Sequence, residues 1–150
     1  MSKRMIALLV LIFSAPLLFY LLWPSDENRI RKLFKEGARA FEAKKLEDVM
    51  AKVSFNYTDE HGLSYLFLKD GGTRFFSQVN DIKVEYEIKG IEVKDDKASA
   101  QIDVRVIAGR GQDAGYIAGD AAKPLSVKFY LEKERTTWLV VKTEGLPHGY

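Results

Sequence analysis

Residues 82–109 read IKVEYEIKGIEVKDDKASAQIDVRVIAG, and their alternation decides the fold. Ile82, Val84, Tyr86 and Ile88 alternate with Lys83, Glu85, Glu87 and Lys89, the period-two pattern of a half-buried strand. After Gly90 the parity changes, because Ile91 and Val93 are now the apolar positions. Ala98, Ala100, Ile102, Val104, Val106 and Ala108 form a second alternating run, and Asp95-Asp96 supplies the turn of a hairpin. Apolar meets apolar if Val93 faces Ala98 and Ile91 faces Ala100. Ile88 then reaches Ile102 only if the first strand absorbs one extra residue, so a bulge is predicted near Gly90, and it bends the sheet. The same register sets Glu85 opposite Arg105 on the outer face. It also sets Glu87 opposite Asp103, a like-charged pair that needs neighbouring lysines or water.

Downstream, Leu125, Val127, Phe129 and Leu131 alternate, and a turn over residues 133–136 returns the chain through Thr137-Trp138-Leu139-Val140-Val141. That last strand is apolar on both faces, so it should be central or covered. Residues 109–123 read as a long glycine-rich connection, which leaves a four-strand antiparallel meander. Upstream, Ile30, Leu33, Phe34, Ala38 and Phe41 recur at helical spacing, predicting an amphipathic helix from about Glu27 to Ala43, capped by Ser25 or Asp26. Leu46, Val49, Met50 and Val53 predict a short second helix. A third helical stretch falls at about 63–69 or at 73–78, with Asp70-Gly71-Gly72 as a turn between them. Helices followed by an antiparallel sheet make the fold class α+β, a bent sheet whose concave side is closed by helices into a cone.

Before the first of these helices lies MIALLVLIFSAPLLFYLLW, Met5 to Trp23, which is 19 residues without a charge. As a helix it is roughly 28 Å long, close to the hydrocarbon thickness of a bilayer. Lys3 and Arg4 precede it and Asp26 and Glu27 follow, so the positive-inside rule keeps the N-terminus in the cytoplasm and exports the rest. Tyr20 and Trp23 sit where an interfacial aromatic belt belongs. The rival reading is a cleaved signal peptide. The apolar run is long for one, its far end is bulky, and its one small pair, Ser14-Ala15, is followed by Pro16. The expectation is therefore a single-pass protein of the bacterial inner membrane. Residues 1–23 are the anchor, and 24–150 are one domain on the periplasmic side.

The chain has 150 residues and a 47% hydrophobic fraction, enough for one packed core beyond the anchor. It has no cysteine, which excludes a disulfide scaffold, thiolate metal sites, a thiol nucleophile and a lipid-modified cysteine within these residues. Lys3 and Arg4 account for the whole excess of 23 basic over 21 acidic residues, so everything beyond Trp23 is neutral. Nothing here points to nucleic acid. Gly109-Arg110-Gly111-Gln112-Asp113-Ala114 superficially fits a dinucleotide fingerprint, but Pro124 closes the segment and no helix follows to hold a pyrophosphate.

Tyr57, Asp59 and His61 lie within five residues and would share one face of an extended segment. The functional reading is a proton-transfer cluster at a pocket mouth; the plainer one is an Asx-type turn at Asp59 before Gly62. A metal site on Asp59 and His61 would need distant ligands such as His148, and no metal or other cofactor is expected. Phe34, Phe41, Phe67, Phe75, Phe76, Tyr86, Phe129 and Trp138 either fill the core or line a ligand cavity.

The order IRKLFKEGARAFEAKKLEDVM (30–50), SFNYTDEHG (54–62) and four strands ending in TTWLVV (136–141) resembles the nuclear transport factor 2-like superfamily, with its ketosteroid isomerases and small polyketide cyclases. The resemblance covers about Asp26 to Gly145 and speaks to fold more than to activity. It implies a pocket inside the cone and pairing of two copies through their sheets. It also implies that Asp59 matches the general base of the isomerase branch. That branch further uses a tyrosine from the first helix and a protonated acid on a strand. Helix one has no tyrosine, and Asp103 should face outward. The expected function is therefore binding of a partner protein or a small apolar ligand by a membrane-anchored envelope domain. A small isomerase or cyclase-like enzyme with Asp59 as base is the alternative.

Overall fold

Ser25 starts the folded part: its hydroxyl accepts from the Asn28 amide at 3.2 Å, capping α2 (Asp26–Glu42). The computed structural model describes residues 2–147. Ahead of the cap, α1 (Lys3–Leu22) runs unbroken through Pro16 and buries no residue. It is long and apolar enough to cross a membrane. After α2 come α3 (Leu46–Met50) and α4 (Tyr65–Gln78), then β1 (Ile82–Lys94), β2 (Lys97–Arg110), β3 (Asp113–Ala118), β4 (Leu125–Glu134) and β5 (Thr137–Glu144). This is the α+β arrangement expected, helices first and then a curved antiparallel sheet.

The hairpin that decides the fold forms in the expected register. Val93 faces Ala98, Ile91 faces Ala100, Ile88 faces Ile102, and the register shifts between Ile88 and Gly90. Glu85 lies opposite Arg105 and Glu87 opposite Asp103. The like charges of the second pair are tempered by Lys89, 3.3 Å from Glu87 and 4.0 Å from Asp103, and by the Ser126 hydroxyl, which donates to Asp103 at 2.5 Å. Asp95 takes φ of 55° in the tight turn, a conformation that aspartate tolerates better than most residues.

Three sequence expectations change. Residues 109–123 are not a loop throughout. The chain turns at Gly111 (φ 61°) and returns as β3, which pairs Val106 to Arg110. β4 pairs the other half of the same β2 edge, Lys97 to Val104. The sheet thus has five strands, in the order β1-β2-β4-β5 with β3 beside β2. Likewise Asp70-Gly71-Gly72 is no turn. α4 passes through it, capped by Ser64 and bridged by Arg74 to Asp70 at 2.9 Å. Packing explains Gly72: a Cβ there would meet Leu46 Cδ1 of α3 at 2.7 Å, so glycine lets the two helices approach. The second helix is also shorter than its apolar spacing suggests, because Val53 leaves it to bridge Val140 in parallel.

β5 is an edge strand, and it is covered. Residues 52–58 run along it, with the Ser54 amide on Val140 O, the Val140 amide on Lys52 O and the Thr58 amide on Val141 O. That satisfies backbone groups an apolar edge would otherwise expose. The main core joins α2 to the sheet through Ile30, Leu33, Ala100, Ile102, Leu131 and Val140. A second cluster, Val79, Ile82 and Ala108, packs with Phe41, Phe75 and Phe76.

Asp26 ties the start of α2 to the β4–β5 turn. It accepts from Trp138 Nε1 at 3.0 Å and pairs with Lys133 at 3.0 Å and Arg29 at 3.4 Å, while Arg29 also donates to Thr136 O. The indole hydrogen bond above all, with Lys133 and Arg29 adding, holds the Asp26 carboxyl below the ordinary carboxylate range against a smaller burial effect.

Candidate functional site

Between α2 and the concave face of the sheet lies a cavity of about 360 Å³. Small residues on α2 leave this room: Gly37 and Ala38 face it, and a Cβ on Gly37 would come no nearer than 4.0 Å to Lys52. The walls are side chains such as Phe34, Phe41, Val104, Val127 and Phe129. The size falls within the range of small-molecule pockets. Phe34 packs edge-on to Phe129 with centroids 5.0 Å apart, which fixes one side of the chamber.

Of the expected aromatic set, Phe34, Phe41, Tyr86 and Phe129 line the cavity. Phe75 and Phe76 pack with Phe41 in the second cluster, Trp138 is buried against Asp26, and Phe67 is half exposed on α4.

Polar groups are few. Lys52 reaches the lining, but its Nζ is held 2.5 Å from Glu36, whose carboxyl that contact draws below its ordinary range. The Tyr57 hydroxyl and the Thr143 hydroxyl meet at 2.5 Å inside the domain, and both residues line the cavity. Tyr57 is 2% exposed and Thr143 5%. Burial pushes the Tyr57 phenol up; the Thr143 hydrogen bond opposes this and the nearby negative charge of Asp59 adds to it.

Asp59 is buried, and its Oδ1 accepts from the His61 and Leu63 amides, each at 2.8 Å. The Gly62 amide closes the turn onto Asp59 O, with Gly62 at φ 79°. This is an Asx turn, the plainer of the two arrangements the sequence allowed. Tyr57, Asp59 and His61 do not converge on the cavity: Tyr57 lines it, and neither Asp59 nor His61 does. His61 Nε2 lies 3.5 Å from Glu60, whose carboxylate also accepts from the Gly145 amide. Among the described residues no group of three or more His, Asp or Glu is disposed to hold a metal ion, and His148 lies outside those residues. The fingerprint-like Gly109–Ala114 stretch forms the β2–β3 turn, with no helix behind it.

Sequence reasoning missed Thr143. It faces inward because the β4–β5 register shifts between Tyr130 and Leu131, which puts Val140 and Thr143 on the same side. The one available signal was a strand apolar on both faces, which hid the change of parity.

No protein-family model and no curated sequence matches the chain. Solved structures do match. Bd1075 of Bdellovibrio bacteriovorus aligns with 79% of this chain at 15% identity and a TM-score of 0.64, and this chain spans only 40% of that protein. A ketosteroid isomerase-like protein from Erwinia carotovora atroseptica aligns with 81% of this chain and 95% of its own, at 15% identity and a TM-score of 0.63. A nuclear transport factor 2-like protein of unknown function from Shewanella oneidensis aligns over 79% and 97%, at 15% identity and a TM-score of 0.58. Identities this low carry architecture and not activity. Helices closing a bent antiparallel sheet, the architecture that aligns with these structures, give the chain the nuclear transport factor 2-like fold.

Proposed function

We propose that this protein is a membrane-tethered binding domain whose cup takes up a small apolar ligand. In this reading α1 spans the inner membrane of a bacterium, residues 24–150 stand on the periplasmic side, and the domain does not do chemistry on what it holds. The observation that carries it is the cavity: about 360 Å³ of almost unbroken apolar wall, with the one cationic side chain on it already committed to Glu36. A ready-made apolar space of this size is suited to binding. It offers no acid–base pair for catalysis, because Asp59 spends Oδ1 on two turn amides outside it.

The neutral fluorophore N-phenyl-1-naphthylamine tests the cup. Residues 24–150 are a suitable protein for the titration, since α1 gives no residue to either core. The wild type should bind with a saturable rise in fluorescence. Val104→Trp, which fills the chamber from β2, should abolish the rise while the domain stays folded. Undiminished binding in that variant would place the ligand elsewhere and end this reading.

The enzymatic alternative keeps one observation in its favour: Asp59 is buried and acts electrostatically on Tyr57. It requires Asp59→Asn to lose turnover of any substrate found for the protein, with ligand affinity retained.

A further inference from the structure

The hydroxyls of Tyr57 and Thr143 bring two protons to one hydrogen bond. Each group carries one O–H. Whichever donates in the 2.5 Å contact, the other proton is left over. Among the described residues no second acceptor lies on either oxygen, and both residues are more than nine-tenths buried on the cavity wall. A buried donor normally finds a partner. Water is poorly placed to serve, because an internal water is held by two to four polar groups, and of the other polar side chains on this wall Lys52 is held by Glu36 and Tyr86 is exposed.

We propose that the Tyr57–Thr143 pair is the polar contact of the ligand site, and that it selects an uncharged apolar molecule bearing one hydrogen-bond acceptor, such as a ketone or ester carbonyl on an aliphatic chain. This rests on the reading of the cavity as a binding site and adds the ligand's chemistry to it. Charge argues for a neutral head. Lys52, the basic residue on the wall among the described residues, is neutralised by Glu36 and is not left for a carboxylate. Asp59 places negative charge close enough to act on Tyr57, which repels an anionic head at that spot. A plain hydrocarbon would fit the walls but leave the spare proton unmet, and buried unmet donors are costly.

Three photoreactive probes sharing one diazirine-bearing aliphatic chain test the inference, ending in a methyl ketone, a carboxylate or a plain methyl group. Each is cross-linked to the full-length protein in bilayer nanodiscs, the labelled peptides are mapped, and half-saturation is measured. On the wild type the ketone probe should label cavity-lining peptides at a concentration about tenfold below the methyl-ended probe, the worth of one good hydrogen bond. The carboxylate should label them most weakly. Tyr57→Phe with Thr143→Val removes both hydroxyls at nearly constant shape. It should erase the ketone's advantage, bringing the ketone and methyl-ended probes to the same half-saturation, and continued labelling of the cavity peptides by the methyl-ended probe reports that the variant is folded. Tyr57→Phe alone leaves the Thr143 donor and should keep the advantage. A ketone preference that survives the double variant, or a carboxylate that binds as well as the ketone, would overturn the inference while leaving the apolar site in place. If none of the three probes labels the cavity, the binding reading itself fails.

Discussion

Asp59, in a turn, and Asp26, at the start of α2, are both carboxylates, and the structure gives each a holding task. Asp59→Ala strips the Asx turn of an acceptor shared by two amides, so it should destabilise the domain by about 1–2 kcal/mol in denaturant titration. Asp59→Asn keeps an oxygen for those amides and should cost less. Neither should change affinity for an apolar ligand, since Asp59 is off the cavity wall. Asp26 has a folded carboxyl held below its ordinary range by Trp138 and then Lys133, so its stabilising effect is complete above the ordinary carboxylate value. That effect fades as the pH falls through the lower, folded value. Asp26→Asn should therefore lower the neutral-pH stability by about 1 kcal/mol and shrink the drop in stability on acidification. Thermal unfolding midpoints from pH 7 down to pH 3 measure both. The Asx turn at Asp59 was legible as one of two readings. The partnership of Tyr57 with Thr143 was not, because residues 86 apart in sequence meet only through a bulge that apolar neighbours concealed.

At the scale of elements, legibility tracked burial. The β1–β2 register could be read to the residue because one face of that hairpin is packed, and a one-residue slip would turn its apolar set to solvent. β3 is exposed along nearly its whole length, so no alternation was imposed on Asp113–Ala118 and the strand read as loop. α4 has no fully buried residue, and its glycine pair looked like punctuation. The two glycines should behave differently. Gly71 faces open space, so Gly71→Ala should stabilise the helix by about 0.5–1 kcal/mol. Gly72→Ala drives a methyl against Leu46 Cδ1, the free end of a half-buried side chain that must turn aside, so the propensity gain there should be smaller than at Gly71. Gly90 marks the bulge, yet a Cβ there meets nothing and its φ is not left-handed. The bulge follows from apolar parity on the two strands, and Gly90→Ala should leave it intact with stability changed by less than about 0.5 kcal/mol.

In the whole molecule an exposed apolar helix joins a cup through the short link of residues 23–25, with α1 ending at Leu22 and α2 beginning at Asp26. The charge pattern around α1 predicts that the full chain stays with membranes through alkaline carbonate extraction. In intact spheroplasts, protease added from outside should degrade residues 24–150 while the first residues remain protected. Release of the chain by carbonate would remove the tether, and protection of the domain would reverse its sidedness. The central claim, an apolar ligand inside the cone, is tested most directly by methyl NMR of residues 24–150 titrated with a long-chain methyl ketone. The account predicts saturable shifts at the cavity methyls of Leu33, Val104 and Val127. Shifts confined to exposed positions such as Leu66 on α4, or no shifts at all, would contradict it.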